Sequence, residues 1–104
     1  MKKVTNDTIR ETLESYILDD DVLSEMVMLE GNEFAPGVIG FTDDGRLVYS
    51  YERLVESLAE AYGSEEDAIE WLEYNTLRSL PYMESENMKA PIIIHEIPEL
   101  TEEG

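Results

Sequence analysis

The fold is decided by residues 38–49, which read VIGFTDDGRLVY. Two runs rich in β-branched and aromatic residues flank the pair Asp44-Gly45. An Asp-Gly pair between such runs supplies the positive φ values that a tight hairpin turn requires. The sequence therefore predicts a β-hairpin over residues 38–49.

A helix is predicted directly after the hairpin, over residues 51–62. Ser50 can cap its first turn, and Gly63 can end it in a left-handed conformation. At helical spacing one face is apolar, and this inner face is predicted to consist of Leu54, Val55, Leu58, Ala61 and Tyr62.

A second helix is predicted from Ser64 to about Ser79. Ser64 followed by Asp67 forms a start similar to a capping box, and Pro81 stops the helix. The predicted inner face consists of Ala68, Ile69, Leu72, Asn75 and Thr76. Asn75 is interpreted as a buried amide that bonds to backbone, with a polar interface anchor as the alternative.

Towards the N-terminus a further helix is predicted over residues 6–18, capped by Thr5 or Asn6. Its predicted inner face consists of Ile9, Leu13, Tyr16 and Ile17. Residues 19–21 are all Asp and interrupt the pattern. The next apolar run is too short to separate helix from strand, and residues 26–29 are interpreted as a short strand.

The predicted fold class is α+β, with about three helices covering a small antiparallel or mixed sheet. The sheet is expected to contain the hairpin 38–49, a buried strand over residues 91–95, and possibly residues 26–29. Length and composition predict a single acidic domain over residues 1–104, with a frayed N-terminus at 1–4 and an acidic tail at 96–104.

Net charge is the property that excludes the most classes of function. The chain has 25 acidic and 7 basic residues, which gives a formal net charge of −18. Such a surface repels phosphates, which excludes direct binding to nucleic acid or an anionic membrane and favours a basic partner. No apolar run is long enough to span a membrane. The absence of cysteine fits a reducing compartment, and a cytoplasmic location is expected.

No catalytic, cofactor-binding or metal-binding residue is predicted, and the protein is not expected to be an enzyme. His95 has no cysteine, second histidine or nucleophile at a recognisable spacing, so a surface or hydrogen-bonded structural role is expected. Neither residues 19–21 nor Asp43-Asp44-Gly45 match the ligand spacing of a calcium loop.

Two rows of glutamates on the consecutive predicted helices carry the functional hypothesis. Like charges four residues apart destabilise a helix, and almost no lysine is interspersed. A carboxylate array of this kind can imitate the phosphates of a nucleic acid and occupy a basic groove. The predicted partner-binding residues are Glu52, Glu56, Glu60, Glu66, Glu70 and Glu73.

An alternative hypothesis is a general protein-interaction module or a homodimer that uses an apolar patch. This patch is predicted to contain Phe34, Tyr74, Tyr82 and Met83. Binding through such a patch would tolerate salt, whereas binding through the glutamates would not.

Two further stretches support a resemblance: residues 40–55, which contain GFTDDGRLVY, and residues 66–82, EDAIEWLEYNTLRSLPY, followed by Ala90-Pro91-Ile92-Ile93. Together they resemble an uncharacterised group of small acidic proteins from Gram-positive bacteria and their phages and mobile elements. The resemblance covers roughly residues 26–95 and implies a strand near residues 26–29. It transfers no functional residues. The mobile-element setting it implies is similar to that of anti-restriction and anti-CRISPR inhibitors.

Overall fold

A computed structural model describes residues 4–101, in which a three-stranded mixed sheet packs with several helices. The fold is α+β, as predicted. The strands are β1 (Val38–Phe41), β2 (Leu47–Ser50) and β3 (Ile92–Ile94). The α-helices are α1 (Asn6–Tyr16), α2 (Asp20–Glu25), α3 (Tyr51–Tyr62), α4 (Glu65–Trp71) and α5 (Pro98–Thr101). A 3₁₀ helix spans Asn32–Gly37, a π-helix Leu72–Leu77, and a second 3₁₀ helix Leu80–Met83.

The predicted hairpin is confirmed. Strand β1 pairs antiparallel with β2, with an irregularity between Val38 and Gly40. The turn closes through the N–H of Thr42, which donates to the carbonyl of Arg46 at 2.8 Å. Gly45 has a φ of 85°, a conformation that glycine adopts without strain.

Strand β3 pairs parallel with β2, so that Tyr49 lies opposite Ile93 in the sheet order β1-β2-β3. The predicted strand over residues 91–95 is confirmed, but its burial is not. Ile92 and Ile94 are 36% and 39% exposed, and only Ile93 packs against the core. The reason is that β3 is an edge strand, whose alternate residues point away from the helices.

The predicted strand at residues 26–29 is wrong, apart from one parallel bridge between Met26 and Lys89. Residues just before it form α2, whose first turn is capped by the carboxylate of Asp19. The pairing that starts at the Met26–Lys89 bridge does not extend to Leu29. The N–H of Leu29 donates instead to the hydroxyl of Tyr49 at 2.9 Å.

Helix α1 begins as predicted, with the hydroxyl of Thr5 accepting from the N–H of Thr8. It ends at Tyr16, two residues before the predicted end. Tyr16 is 71% exposed, so its assignment to the inner face is wrong, and its ring lies 6.4 Å from that of Phe41. Leu13 and Ile17 do enter the core.

The predicted helix over residues 51–62 is confirmed as α3, capped by Ser50 and ended by Gly63 at a φ of 95°. Leu54, Val55 and Leu58 are buried as predicted. The other two predicted inner residues, at positions 61 and 62, lie in the last turn of the helix and are exposed, so their predicted burial is wrong.

The predicted helix to about Ser79 has its expected extent, but α4 changes into a π-helix after Trp71. Asn75 is exposed, so its predicted burial is wrong, and its side-chain amide donates to the carbonyl of Trp71 at 3.2 Å. In a π-helix the turn is wider, which rotates a residue three positions after Leu72 away from the core. Thr76, four positions on, is 5% exposed.

The two terminal segments are described only in part. Residues 1–3 of the predicted frayed segment lie outside the described residues, as do residues 102–104 of the predicted acidic tail. The described part of the tail contains α5, and its first residue, Glu96, accepts a hydrogen bond from Nε of Arg53 at 3.0 Å.

Tyr49 joins the sheet to the segment after α2 and is fully buried. Burial raises the pKa of its phenol to about 12, against the opposing effect of the Leu29 N–H bond. We expect Tyr49→Phe to lower the free energy of unfolding by about 1–3 kcal/mol, because it leaves the buried Leu29 N–H without an acceptor. Urea denaturation measures the difference. Tyr16→Phe, which removes an exposed hydroxyl, serves as the control, and equal losses in the two variants would contradict the account.

Arg46 joins the hairpin turn to the loop before β3. Its two terminal nitrogens donate to the carboxylate of Glu84 at 2.7 and 2.9 Å. The same carboxylate accepts from the N–H of Ala90 at 2.9 Å. The bonds from Arg46, and then that from Ala90, lower the pKa of Glu84 from 4.5 to about 2.

This lowered pKa predicts an acid-sensitive contribution to stability. A carboxyl whose pKa falls on folding stabilises the protein above its unfolded pKa, and this stabilisation is lost as the pH falls through the folded pKa. We therefore expect Glu84→Gln to be less stable than wild type at pH 7, with the difference shrinking between about pH 4.5 and pH 2. Thermal unfolding at several pH values measures it, with the exposed Glu86→Gln as control. A difference that does not change with pH would show that the charge of Glu84 has no such role.

Candidate functional site

The six glutamates of the predicted array are all exposed on consecutive helical segments. Glu52, Glu56 and Glu60 lie on α3, Glu66 and Glu70 on α4, and Glu73 on the π-helix. The left-handed Gly63 turns the chain between the two helices, which pack against one another. The structure divides the six into two groups by what each side chain contacts.

The exposed side chain of Glu52 is bonded to other residues of the chain. Its carboxylate lies 3.0 Å from Nδ1 of His95 and accepts from the N–H of Glu96 at 2.8 Å. Desolvation opposes these bonds, but the Glu96 N–H and the His95 ring together lower the pKa of Glu52. The His95 ring also lies 4.5 Å from that of Tyr51. These contacts connect the residues that follow β3 to the start of α3.

Glu73 is also engaged, because it accepts from the hydroxyl of Tyr51 at 3.2 Å. Partial burial raises the pKa of Tyr51, and this hydrogen bond raises it further. Tyr51 therefore connects the first turn of α3 to the π-helix and brings the Glu73 end of one row beside the Glu52 end of the other.

The remaining four glutamates have no hydrogen bond or ion pair with any residue that the structure describes. They are Glu56, Glu60, Glu66 and Glu70, and we call them the free array. Glu56 and Glu60 lie on successive turns of α3. They line one depression of about 170 Å³ together with Pro36 and Arg53. Glu70 lies on the rim of a separate cleft described below.

Few positively charged side chains lie near the free array in the sequence, and each of them contacts another group. Residues 51–79 contain eight carboxylates and two arginines. Arg53 donates to Glu96 at 3.0 Å, and the guanidinium carbon of Arg78 lies 5.0 Å above the ring of Tyr74. The four glutamates of the free array are therefore exposed and have no ion pair among the described residues, and such negative charge attracts cationic groups.

The alternative apolar patch is not assembled as predicted. Phe34 is 5% exposed and belongs to the core, because the 3₁₀ helix that carries it packs against α3. Met83 is half-buried against that core. Tyr74 and Tyr82 remain on the surface, at 61% and 89% exposure.

One cleft that was not predicted from the sequence brings Tyr74 together with Tyr62 and Trp71. Trp71 and Tyr74 are three residues apart, a spacing that places them near each other on a helix and could have indicated the pair. Tyr62 joins them only because the turn at Gly63 folds α3 back onto α4. Its predicted place in the core concealed this role.

Other classes of site have little support in the described residues. Between residues 4 and 101 no group of three or more His, Asp or Glu side chains is arranged to hold a metal ion. Within the same range, no helix combines the length and apolar character that crossing a membrane requires. Comparisons with protein-family models, curated proteins and solved structures found no match.

Proposed function

We propose that the protein is a non-catalytic inhibitor or modulator that docks the free array on a basic, nucleic-acid-binding protein. The observation that carries the proposal is the set of four exposed glutamates on two consecutive helices that have no ion pair with any described residue. A solvated face does not require such an arrangement, because a surface of mixed charges with a modest net charge is also soluble.

The spacing of the free array supports imitation of a nucleic acid. Glu56 and Glu60 are four residues apart, which separates them by about 6 Å along the helix axis. Successive phosphates of one DNA strand rise about 3.4 Å along the duplex axis, so this axial spacing is close to that of every second phosphate. A basic groove that binds phosphates could therefore accept these carboxylates, as in inhibitors of the anti-CRISPR or anti-restriction type.

The energetics of the helix also support a binding role. Glu56 has like-charged neighbours at both four-residue positions, and each such pair destabilises a helix by about 0.2–0.5 kcal/mol. The arrangement lowers the stability of the free protein, and docking on a cationic surface would relieve the repulsion. Association would then be fast and would slow steeply as salt is added.

The experiment is a pull-down with the immobilised protein from nuclease-treated lysate of the source cell, washed in parallel at low and high salt. We expect a basic nucleic-acid-binding protein to be retained at low salt and released at high salt. Retention of the same partner at both salt concentrations would overturn the proposal.

A second candidate function is a general protein-interaction module or a homodimer centred on Tyr82. Its 89% exposed ring is the observation that favours this candidate. Under it, binding would survive high salt and be lost in Tyr82→Ala, whereas charge reversal in the free array would have little effect.

A further inference from the structure

An aromatic cleft of about 500 Å³ lies where α3 and α4 meet. Its lining consists of Tyr62, Asp67, Glu70, Trp71, Tyr74 and Asn75. Tyr62 is the last residue of α3 and Trp71 the last of α4, and their rings are stacked with centroids 5.7 Å apart and planes 26° apart. The cleft is therefore a direct product of the helical hairpin.

Trp71 is held between two aromatic neighbours, Tyr62 and Phe34, and remains partly exposed. The buried ring of Phe34 lies 5.9 Å from it on the core side. Even so, Trp71 and Tyr62 are 37% and 39% exposed. Large aromatic side chains that are held by their neighbours and stay partly exposed are well suited to contact a ligand at low entropic cost.

The π-helix begins directly after Trp71 and carries Tyr74. Segments of π-helix are rare in proteins, and those that occur often lie at functional sites. Here the wider turn rotates Asn75 out of the core, and the ring of Tyr74 is exposed beside it. The irregularity thus contributes two residues to the cleft lining.

The charge of the cleft indicates what it accepts. Asp67 and Glu70 lie on its rim, and neither carboxylate is bonded to any side chain or backbone group among the described residues. Aromatic faces attract cations, and carboxylates at the edge add a direct electrostatic contact. We propose that the cleft binds an arginine side chain of a basic protein partner.

Arginine is favoured over lysine for two reasons. A planar guanidinium can pack against the exposed part of an aromatic side chain and donate to two carboxylates at once, whereas an ammonium presents a compact point charge. In addition, the guanidinium of Arg78 already lies 5.0 Å above the ring of Tyr74, so this surface accommodates the group within its own chain.

The inference rests on the proposed function for the basic character of the partner, since Glu70 belongs to both surfaces. It names the cleft as the place where one arginine of that partner docks. The test uses a synthetic peptide, so its outcome does not depend on whether a cellular partner is captured.

The experiment is a titration of the full chain with the blocked tripeptide Ac-Arg-Arg-Arg-NH2. Two spectroscopic signals of Trp71 are recorded during the titration. Trp71 is the single tryptophan of the chain, so intrinsic tryptophan fluorescence and the indole N–H resonance both report on the cleft. We expect a saturable change in both, and a dissociation constant roughly three- to tenfold higher for Asp67→Asn with Glu70→Gln.

Matched controls separate the cleft from the general negative field. The double variant Glu11→Gln with Asp43→Asn removes the same charge from exposed positions outside the cleft and should bind like wild type. Tyr74→Leu, which keeps every charge, should weaken binding. Ac-Lys-Lys-Lys-NH2 should bind more weakly than the arginine peptide.

Three results would overturn the proposal. One is the absence of a saturable Trp71 signal, and another is an equal affinity for wild type and the Asp67/Glu70 variant. The third is a lysine peptide that binds as tightly as the arginine peptide, which would exclude arginine as the specific occupant. If the arginine peptide binds the cleft but no salt-sensitive partner is captured, the proposed function alone fails.

Discussion

Leu58→Ala is expected to lower the free energy of unfolding by about 2–5 kcal/mol, the usual range for a leucine removed from a packed core. Leu58 is fully buried on α3 and belongs to one core cluster with Leu54 and Leu72. Truncation loses the transfer free energy of the side chain and leaves a cavity that the two helices cannot fully close.

The effect should be large relative to the total stability. Small domains have unfolding free energies of about 5–15 kcal/mol, and repulsion within a chain of net charge −18 reduces this value. Urea denaturation at fixed salt measures the change. Leu18→Ala is the matched control, because Leu18 is 90% exposed and its truncation should change stability by less than about 0.5 kcal/mol. Similar losses in the two variants would contradict the described core.

The double reversal Glu56→Lys with Glu70→Lys is expected to weaken binding to the basic partner by about 1–4 kcal/mol at low salt, roughly fivefold to several hundredfold. Each reversal removes an attraction of about 0.2–1 kcal/mol and adds a repulsion of similar size. Most of the loss should appear in the association rate and diminish at high salt. Surface plasmon resonance with the captured partner at two salt concentrations measures both.

The reversal should leave the fold intact. Glu56 lies four residues from both Glu52 and Glu60, so a lysine there replaces two repulsive pairs with attractive ones. Glu11→Lys with Glu14→Lys is the control, since it changes net charge equally on the exposed side of α1. If the control weakens binding as much as the test variant, net charge and not the free array governs recognition.

The parts of the fold that sequence could predict are those set by local backbone chemistry. The Asp44-Gly45 turn is one, because only a few residues adopt positive φ without strain. The helix starts at Ser50 and Ser64 are others, since each hydroxyl accepts a backbone N–H of its own first turn. None of these features depends on distant parts of the chain.

The wrong predictions concern segments whose structure depends on contacts with residues far away in the sequence or on a departure from α-helical geometry. Nothing local indicates that the Leu29 N–H pairs with the side chain of Tyr49, which prevents a strand at residues 26–29. Phe34 lies in an irregular loop and is buried only because that loop packs against α3. The burial of Asn75 was inferred from the period of an α-helix, and the π-helix changes that period.

The candidate site shows the same division. The exposure of the glutamate rows follows from helical periodicity and was predictable. Which glutamates are engaged was not, because His95 and Glu96 reach Glu52 from a segment more than 40 residues away. The aromatic cleft likewise requires α3 and α4 to pack, which places Tyr62 against Trp71.

A competition measurement shows whether the free array occupies the nucleic-acid site of a basic protein. The captured partner is bound to a fluorescently labelled nucleic acid, and the acidic protein is titrated in while fluorescence anisotropy is recorded. The account predicts complete release of the nucleic acid near stoichiometric addition, with much less release by the Glu56→Lys, Glu70→Lys variant. Unchanged anisotropy with both ligands bound to the partner would contradict it.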